Sequence, residues 1–164
     1  MKVAKTLKNS IWTIFLSGLV LFGSCTKKEP APEFDKALLL QLVNSHRASG
    51  CDCGSEGSYA TTNPLVWNDA LERAARDHCT DMFTNNFLSH TGSNGSSVGV
   101  RLERRNYKWK TYGENIALGY QTEKSVIDAW MKSPGHCKNI MNPNYTEMGA
   151  SRKGNYWTLT LGTR

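Results

Sequence analysis

Nothing in this 164-residue sequence is apolar for long enough to cross a bilayer. The longest mainly apolar run, Ile11 to Phe22, is 12 residues, where a span needs about 20. No acid occurs among the first 24 residues, which carry Lys2, Lys5 and Lys8 ahead of that run and the small residues Gly23 and Ser24 after it. A basic n-region, an apolar h-region and a small-residue c-region together make a secretory signal peptide, expected over residues 1–24 and absent from the mature chain. Its removal lowers the formal net charge from +6 to +3. The basic balance of the whole chain is therefore no nucleic-acid signature. No internal repeat and no low-complexity tract is present, which excludes a repeat architecture. The 140 residues from Cys25 onward suffice for one hydrophobic core and not two.

Cysteine is scarce, five in all, and each position carries meaning. Phe22-Gly23-Ser24-Cys25 resembles a bacterial lipobox, with Phe22 where Leu is usual; cleavage there leaves Cys25 as an acylated N-terminus. Each buried methylene of such chains contributes about 0.8 kcal/mol, enough in sum for stable attachment to a membrane. Residues 25–33, with Pro30 and Pro32, read as a tether, and a folded domain is expected over 34–164. Cys51, Cys53, Cys79 and Cys137 remain, an even number in a chain sent to an oxidising compartment, so two disulfides are expected. Three pairings are open, and one that joins Cys51 to Cys53 closes a strained ring across a single residue. A four-thiolate zinc site competes, but structural zinc sites space paired ligands by two to four residues.

Hydrophobic periodicity predicts a helix from Phe34 to Ser49, with Leu38, Leu39, Leu42 and Val43 at three- and four-residue spacing and Gly50 closing it. A second helix is expected from Asn68 or Asp69, with Glu72 completing a capping box and Leu71, Ala75, Cys79 and Met82 on an inward stripe. Val98 to Arg105 suggests a short helix with a basic face, and Arg101, Arg104, Arg105, Lys108 and Lys110 read as solvated charge rather than an anion site. Thr122 to Lys132 reads as a helix stopped by Ser133-Pro134-Gly135. From Met148 to Thr163, Trp157, Leu159 and Leu161 alternate with Tyr156, Thr158 and Thr160 as strands do, around a hairpin signal at Gly154-Asn155. Helices and antiparallel strands in this order suggest an α+β layered fold.

His90, within Ser89-His90-Thr91-Gly92, and His136, within Pro134-Gly135-His136-Cys137, sit in loop-like contexts. Glu114 lies between them in Gly113-Glu114-Asn115-Ile116. Two imidazoles and a carboxylate suit a divalent metal, or a metal-bound water oriented by the acid. Cys137 beside His136 invites a papain-like reading with Glu114 as orienter, opposed by the rarity with which neighbouring side chains face one another. Asn115 and Asn139 read as hydrogen-bond bridges, Asn44 and Arg47 as ties from the first helix to the core, and Tyr112 and Trp130 as packing.

The ordered motifs Leu42-Val43-Asn44-Ser45-His46-Arg47, Pro64-Leu65-Val66-Trp67-Asn68, Ser89-His90-Thr91-Gly92, Gly113-Glu114-Asn115-Ile116, Trp130 to His136, Asn139 to Pro143 and Glu147-Met148-Gly149 resemble the bacterial branch of the CAP superfamily, whose domain is also called SCP or PR-1-like. The resemblance covers Phe34 to the C-terminus. It implies an α-β-α sandwich with a small, mainly antiparallel central sheet, and a cleft in which two histidines and two acids bind zinc or another divalent ion in some members. By position His90, Glu114 and His136 match three of these four. The fourth position is Ser133, which implies weaker metal binding and a lost partner for two-carboxylate catalysis. Cysteine-bearing relatives suggest Cys53 with Cys137, leaving Cys51 with Cys79. Together with the lipobox-like Cys25, the resemblance implies an extracytoplasmic lipoprotein held to a bacterial membrane, with a non-catalytic cleft for a divalent ion or a peptide or small ligand, acting as an envelope or host-interaction module. Weak metal-dependent hydrolysis, with Glu114 orienting water, and lipid or sterol capture are the alternatives. No nucleic-acid partner is expected.

Overall fold

The computed structural model describes Met1 and residues 33–164. The signal peptide, Cys25 and the tether up to residue 32 lie outside the described residues. Helix α1 (Lys36–Ser49) starts where the Asp35 carboxylate accepts from the backbone N–H of Leu38 at 3.0 Å, filling one of the unpaired donors of the first turn. Leu39, Val43 and Arg47, four residues apart, form its buried stripe. Gly50 ends it at φ +69°, where a Cβ would press on the Tyr59 carbonyl at 2.9 Å. Strands β1 (Cys51–Asp52) and β2 (Ser58–Tyr59) then pair antiparallel around a 3-10 turn at Gly54–Glu56.

After β3 (Val66–Trp67), helix α2 (Asp69–Asn85) is capped by Asn68, whose side-chain oxygen accepts from the N–H groups of Ala70 and Leu71. The expected capping box does not form, because with Asn68 as the cap the position three residues on is Leu71, and the Glu72 carboxylate one residue further is engaged by Lys36, Trp67 and Arg76. Helix α3 (Val98–Arg104), strand β4 (Thr111–Leu118) and helix α4 (Glu123–Lys132) follow. The stop expected after α4 is instead a start. Ser133 is extended at φ −98°, and Pro134 takes the first position of helix α5 (Pro134–Met141), where its missing N–H removes no bond. His136 therefore sits in a helical first turn and not in a loop.

Strands β5 (Glu147–Lys153) and β6 (Tyr156–Thr163) form the expected hairpin, turned at Gly154 with φ +56°. The four-stranded sheet runs β3-β5-β6-β4, with β3 parallel to β5 and the other pairs antiparallel. On one face Trp157, Leu159 and Leu161 of β6 join Leu39 and Val43 of α1, with α4 and α5, in the larger core. Each fully buried Leu there contributes about 2 kcal/mol. On the other face α2 lies across β5 and β6, with Cys79 and Met82 packed against Tyr156. A Cβ on Gly149 of β5 would run into the backbone of Glu72, so only glycine admits α2 this close. The result is the α-β-α sandwich, mainly antiparallel, that the motifs implied. Among the described residues no helix is long and apolar enough to cross a membrane.

Candidate functional site

Strand β4 delivers Glu114 into a buried position, paired in register with Thr160 of central strand β6. Both its oxygens are engaged. Oε2 accepts from Nη2 of Arg101 at 2.8 Å, and Oε1 accepts from Nδ1 of His90 at 2.8 Å. Arg101, on α3, is itself buried and also donates to the carbonyls of Ser96 at 2.9 Å and His90 at 3.1 Å. This departs from the solvated basic face expected of it. Arg101 turns inward because a buried carboxylate needs a cation and hydrogen bonds to offset its lost hydration. One guanidinium thus fixes both the acid and the backbone of the first histidine.

The bond to Glu114 places the His90 proton on Nδ1, so neutral His90 carries a bare Nε2 on the opposite edge of a ring whose side chain is 54% exposed. His136, half-buried on α5, has its pKa lowered from the ordinary histidine value by burial first and second by repulsion from the His90 ring, which acts when that ring is protonated. The two imidazoles therefore sense one another. Helix α5 is lashed to β4 by amides: Asn115 donates to the His136 carbonyl at 3.0 Å, and Asn139 donates to the Glu114 carbonyl at 3.2 Å and to Asn115 Oδ1 at 2.9 Å. These are the hydrogen-bond bridges expected of the two asparagines. Trp130 donates to the Ile116 carbonyl at 3.2 Å from within the core, as packing. Ser133, half-buried, caps no helix with its side chain.

His78 of α2 completes the cluster, and the sequence motifs do not single it out. It is fully buried, with Nε2 2.8 Å from the Ser89 carbonyl and 3.9 Å from Glu114 Oε1. Donation to Ser89 puts the proton on Nε2 and leaves Nδ1 as a buried acceptor without a partner among the described residues. Burial lowers its pKa, so the ring is held neutral. A signal is nonetheless present: Leu71, Ala75, His78 and Met82 fall on one helical stripe at spacings of four and three.

Of the two expected bridges the structure has one. Cys53 and Cys137 form a disulfide, tying the turn after β1 to α5 one residue beyond His136. Cys51 and Cys79 are free thiols, so the expected Cys51 to Cys79 bridge is absent. Cys79 is fully buried under β6, where it donates to the Tyr156 carbonyl at 3.2 Å, and burial pushes its pKa up to about 12. Cys51 instead lies against the disulfide. The three sulfurs of Cys51, Cys53 and Cys137 lie within 4.8 Å of one another, a set that could hold a metal ion only with the disulfide reduced to thiols. With Cys137 in a disulfide, the papain-like reading has no nucleophile.

A family model described as CAP, cysteine-rich secretory protein family, matches residues 40–159. The Bacillus subtilis protein YkwD is 38% identical over 97 residues, 58% of this chain and 38% of that protein. The B. subtilis membrane protein YlbC is 33% identical over 94 residues, 57% of this chain and 27% of its own length. The chain thus spans well under half of these relatives. Among solved structures, an extracellular protein containing an SCP domain from Bacillus anthracis superposes with a TM-score of 0.70 at 25% identity, covering 78% of this chain and 40% of that one. An outer surface protein of Borrelia burgdorferi superposes at 0.62 with 20% identity, over 80% and 96% of the two chains, a likeness of fold.

Proposed function

The chain belongs to the CAP family of cysteine-rich secretory proteins, and from that premise we propose that it works outside the cytoplasm as a binding module whose cleft presents His90 and His136 to a divalent ion such as zinc or to a peptide or small ligand. The extracellular description of the B. anthracis SCP protein supports the location. The signal-like residues 1–24 and the lipobox-like Phe22 to Cys25 support membrane attachment through an acylated Cys25.

One observation carries the reading: each oxygen of Glu114 already accepts a charge-assisted bond, from Arg101 and from His90. The donors this reading leaves for an ion are then two imidazoles, a pair suited to a weakly held divalent ion. A bound ion would supply Lewis acidity. Glu114 acts from behind, holding His90 in the tautomer that leaves Nε2 bare, as carboxylates do for metal-binding histidines. Neither of its oxygens is left without a charged or ring N–H partner, as a general base would need, and Ser133 at the fourth family position offers no carboxylate in its stead. Binding without efficient hydrolysis follows.

Calorimetric titration of zinc into the oxidised domain tests this, alongside His90→Ala and His136→Ala. One site that disappears in both variants is expected. Heats that ignore both substitutions would remove the metal reading and leave the histidines as structural groups. Metal-dependent peptide hydrolysis that chelation and Glu114→Gln both abolish would replace the binding module with a hydrolase.

A further inference from the structure

The Cys51 thiol lies 3.5 Å from Sγ of Cys137 and 3.7 Å from Sγ of Cys53, the two halves of the disulfide. Cys51 is half-buried on a strand of two residues and packs at the edge of the larger core, a place that any small apolar side chain would fill as well as a sulfur. We propose that Cys51, Cys53 and Cys137 form an internal disulfide relay, in which the bridge on Cys137 passes between Cys53 and Cys51.

The step is a balanced thiol–disulfide exchange. Cys51 loses its proton to a solvent base, and a lone pair of its sulfur forms the bond to Sγ of Cys137. The bond from Cys137 to Cys53 breaks with its electron pair on Cys53, which takes up a proton. Cys51 is oxidised, Cys53 is reduced, and no external oxidant or reductant enters. Cys51 sits nearly equidistant from the two sulfurs, beside the bond and not on its axis, so its side chain must swing into line before it attacks. The ladder holding it is short, only Cys51 with Tyr59 and Asp52 with Ser58. Burial, and secondarily the charge of Asp52, raise the Cys51 pKa, which makes the exchange slow at neutral pH and faster as the pH rises.

The two isomers differ in what they hold. With Cys53 bridged, α5 is tied to the turn at Gly54–Glu56, and the free thiol is the half-buried Cys51. With Cys51 bridged, α5 is tied to β1, the turn is released from it, and the free thiol is Cys53, a residue 2% exposed while it is bridged. The relay therefore keeps His136 anchored in either state while moving the reactive sulfur between the surface and the interior.

The test is a map of free thiols on the full chain without reductant. Samples held between pH 6 and pH 9 are quenched in acid, unfolded, alkylated and cut before Asp52, which separates Cys51 from Cys53. Label on Cys51 at low pH, giving way in part to Cys53 at high pH, is expected, with the approach rate rising about tenfold per pH unit below the thiol pKa. Cys79 carries label throughout, and Cys25 is read on its own peptide. Label confined to Cys51 at every pH would overturn the relay. The variant Cys53→Ser gives a second reading: a Cys51 to Cys137 bridge is expected after oxidation, and free thiols at both positions would contradict it.

Discussion

Two arginines are buried among the described residues, one in each helical layer, and they are stabilised by different chemistry. Arg47 of α1 is fully buried and donates to the carbonyls of Asn63, Ile140, Asn142 and Tyr145 and to the Thr62 hydroxyl, with no carboxylate among its partners. Burial alone lowers its pKa, to about 10. Arg101 of α3 meets two carbonyls and the Glu114 carboxylate. The first arginine gathers backbone that no helix or strand would otherwise satisfy, and is structural. The second pairs with the buried acid that also holds His90, so under the proposed function its loss reaches binding as well as stability.

The largest effect should come from Arg47→Met, which strands the carbonyls of Asn63, Ile140 and Tyr145 and leaves that of Asn142 with the Tyr145 N–H alone. A loss of roughly 3 kcal/mol or more in denaturant unfolding is expected, with no rescue from any second-site change at an acid. Arg101→Met should cost about 3 kcal/mol, because it leaves Glu114 a buried anion without its cation. Here rescue is expected: adding Glu114→Gln should recover part of the loss, and a double-mutant cycle should show coupling above roughly 1 kcal/mol. Additive losses would erase the distinction between the two arginines.

A smaller effect is expected from Asn115→Ala, which frees the His136 carbonyl and the Asn139 amide. About 1 kcal/mol of stability should go, accompanied by weaker zinc binding in the calorimeter. The smallest concerns pH. The folded pKa of His78 lies below its ordinary value of 6.5, so the unfolded chain binds the proton more readily. Its contribution is complete above about pH 6.5 and is lost as the pH falls through the window beneath. His136 adds in the same sense. His78→Gln, which keeps a donor for Ser89, should flatten the acid limb of the melting temperature.

The main helices and the closing hairpin were legible because one buried face imposes its period on the sequence: Leu39 and Val43 in α1, Trp157, Leu159 and Leu161 in β6. His90, Glu114 and His136 were legible as members of ordered motifs. What surrounds them was not. Arg101 reads as one more surface charge until Glu114, 13 residues later, is folded against it. Helix α5 was hidden because Pro134 is read as a stop in the chain's forward direction, although it is equally a first helical residue. The free Cys51 defeated parity counting, since an even number of cysteines does not require that all be bridged.

Zinc titration of Glu114→Gln separates a carboxylate that stands behind His90 from one that would bind the ion itself. The glutamine oxygen can still accept from His90 Nδ1–H, so a site that survives with affinity lowered about 10- to 100-fold is expected. A site abolished as completely as in His136→Ala, in a variant whose near-UV spectrum shows native packing, would make Glu114 a ligand and contradict the account.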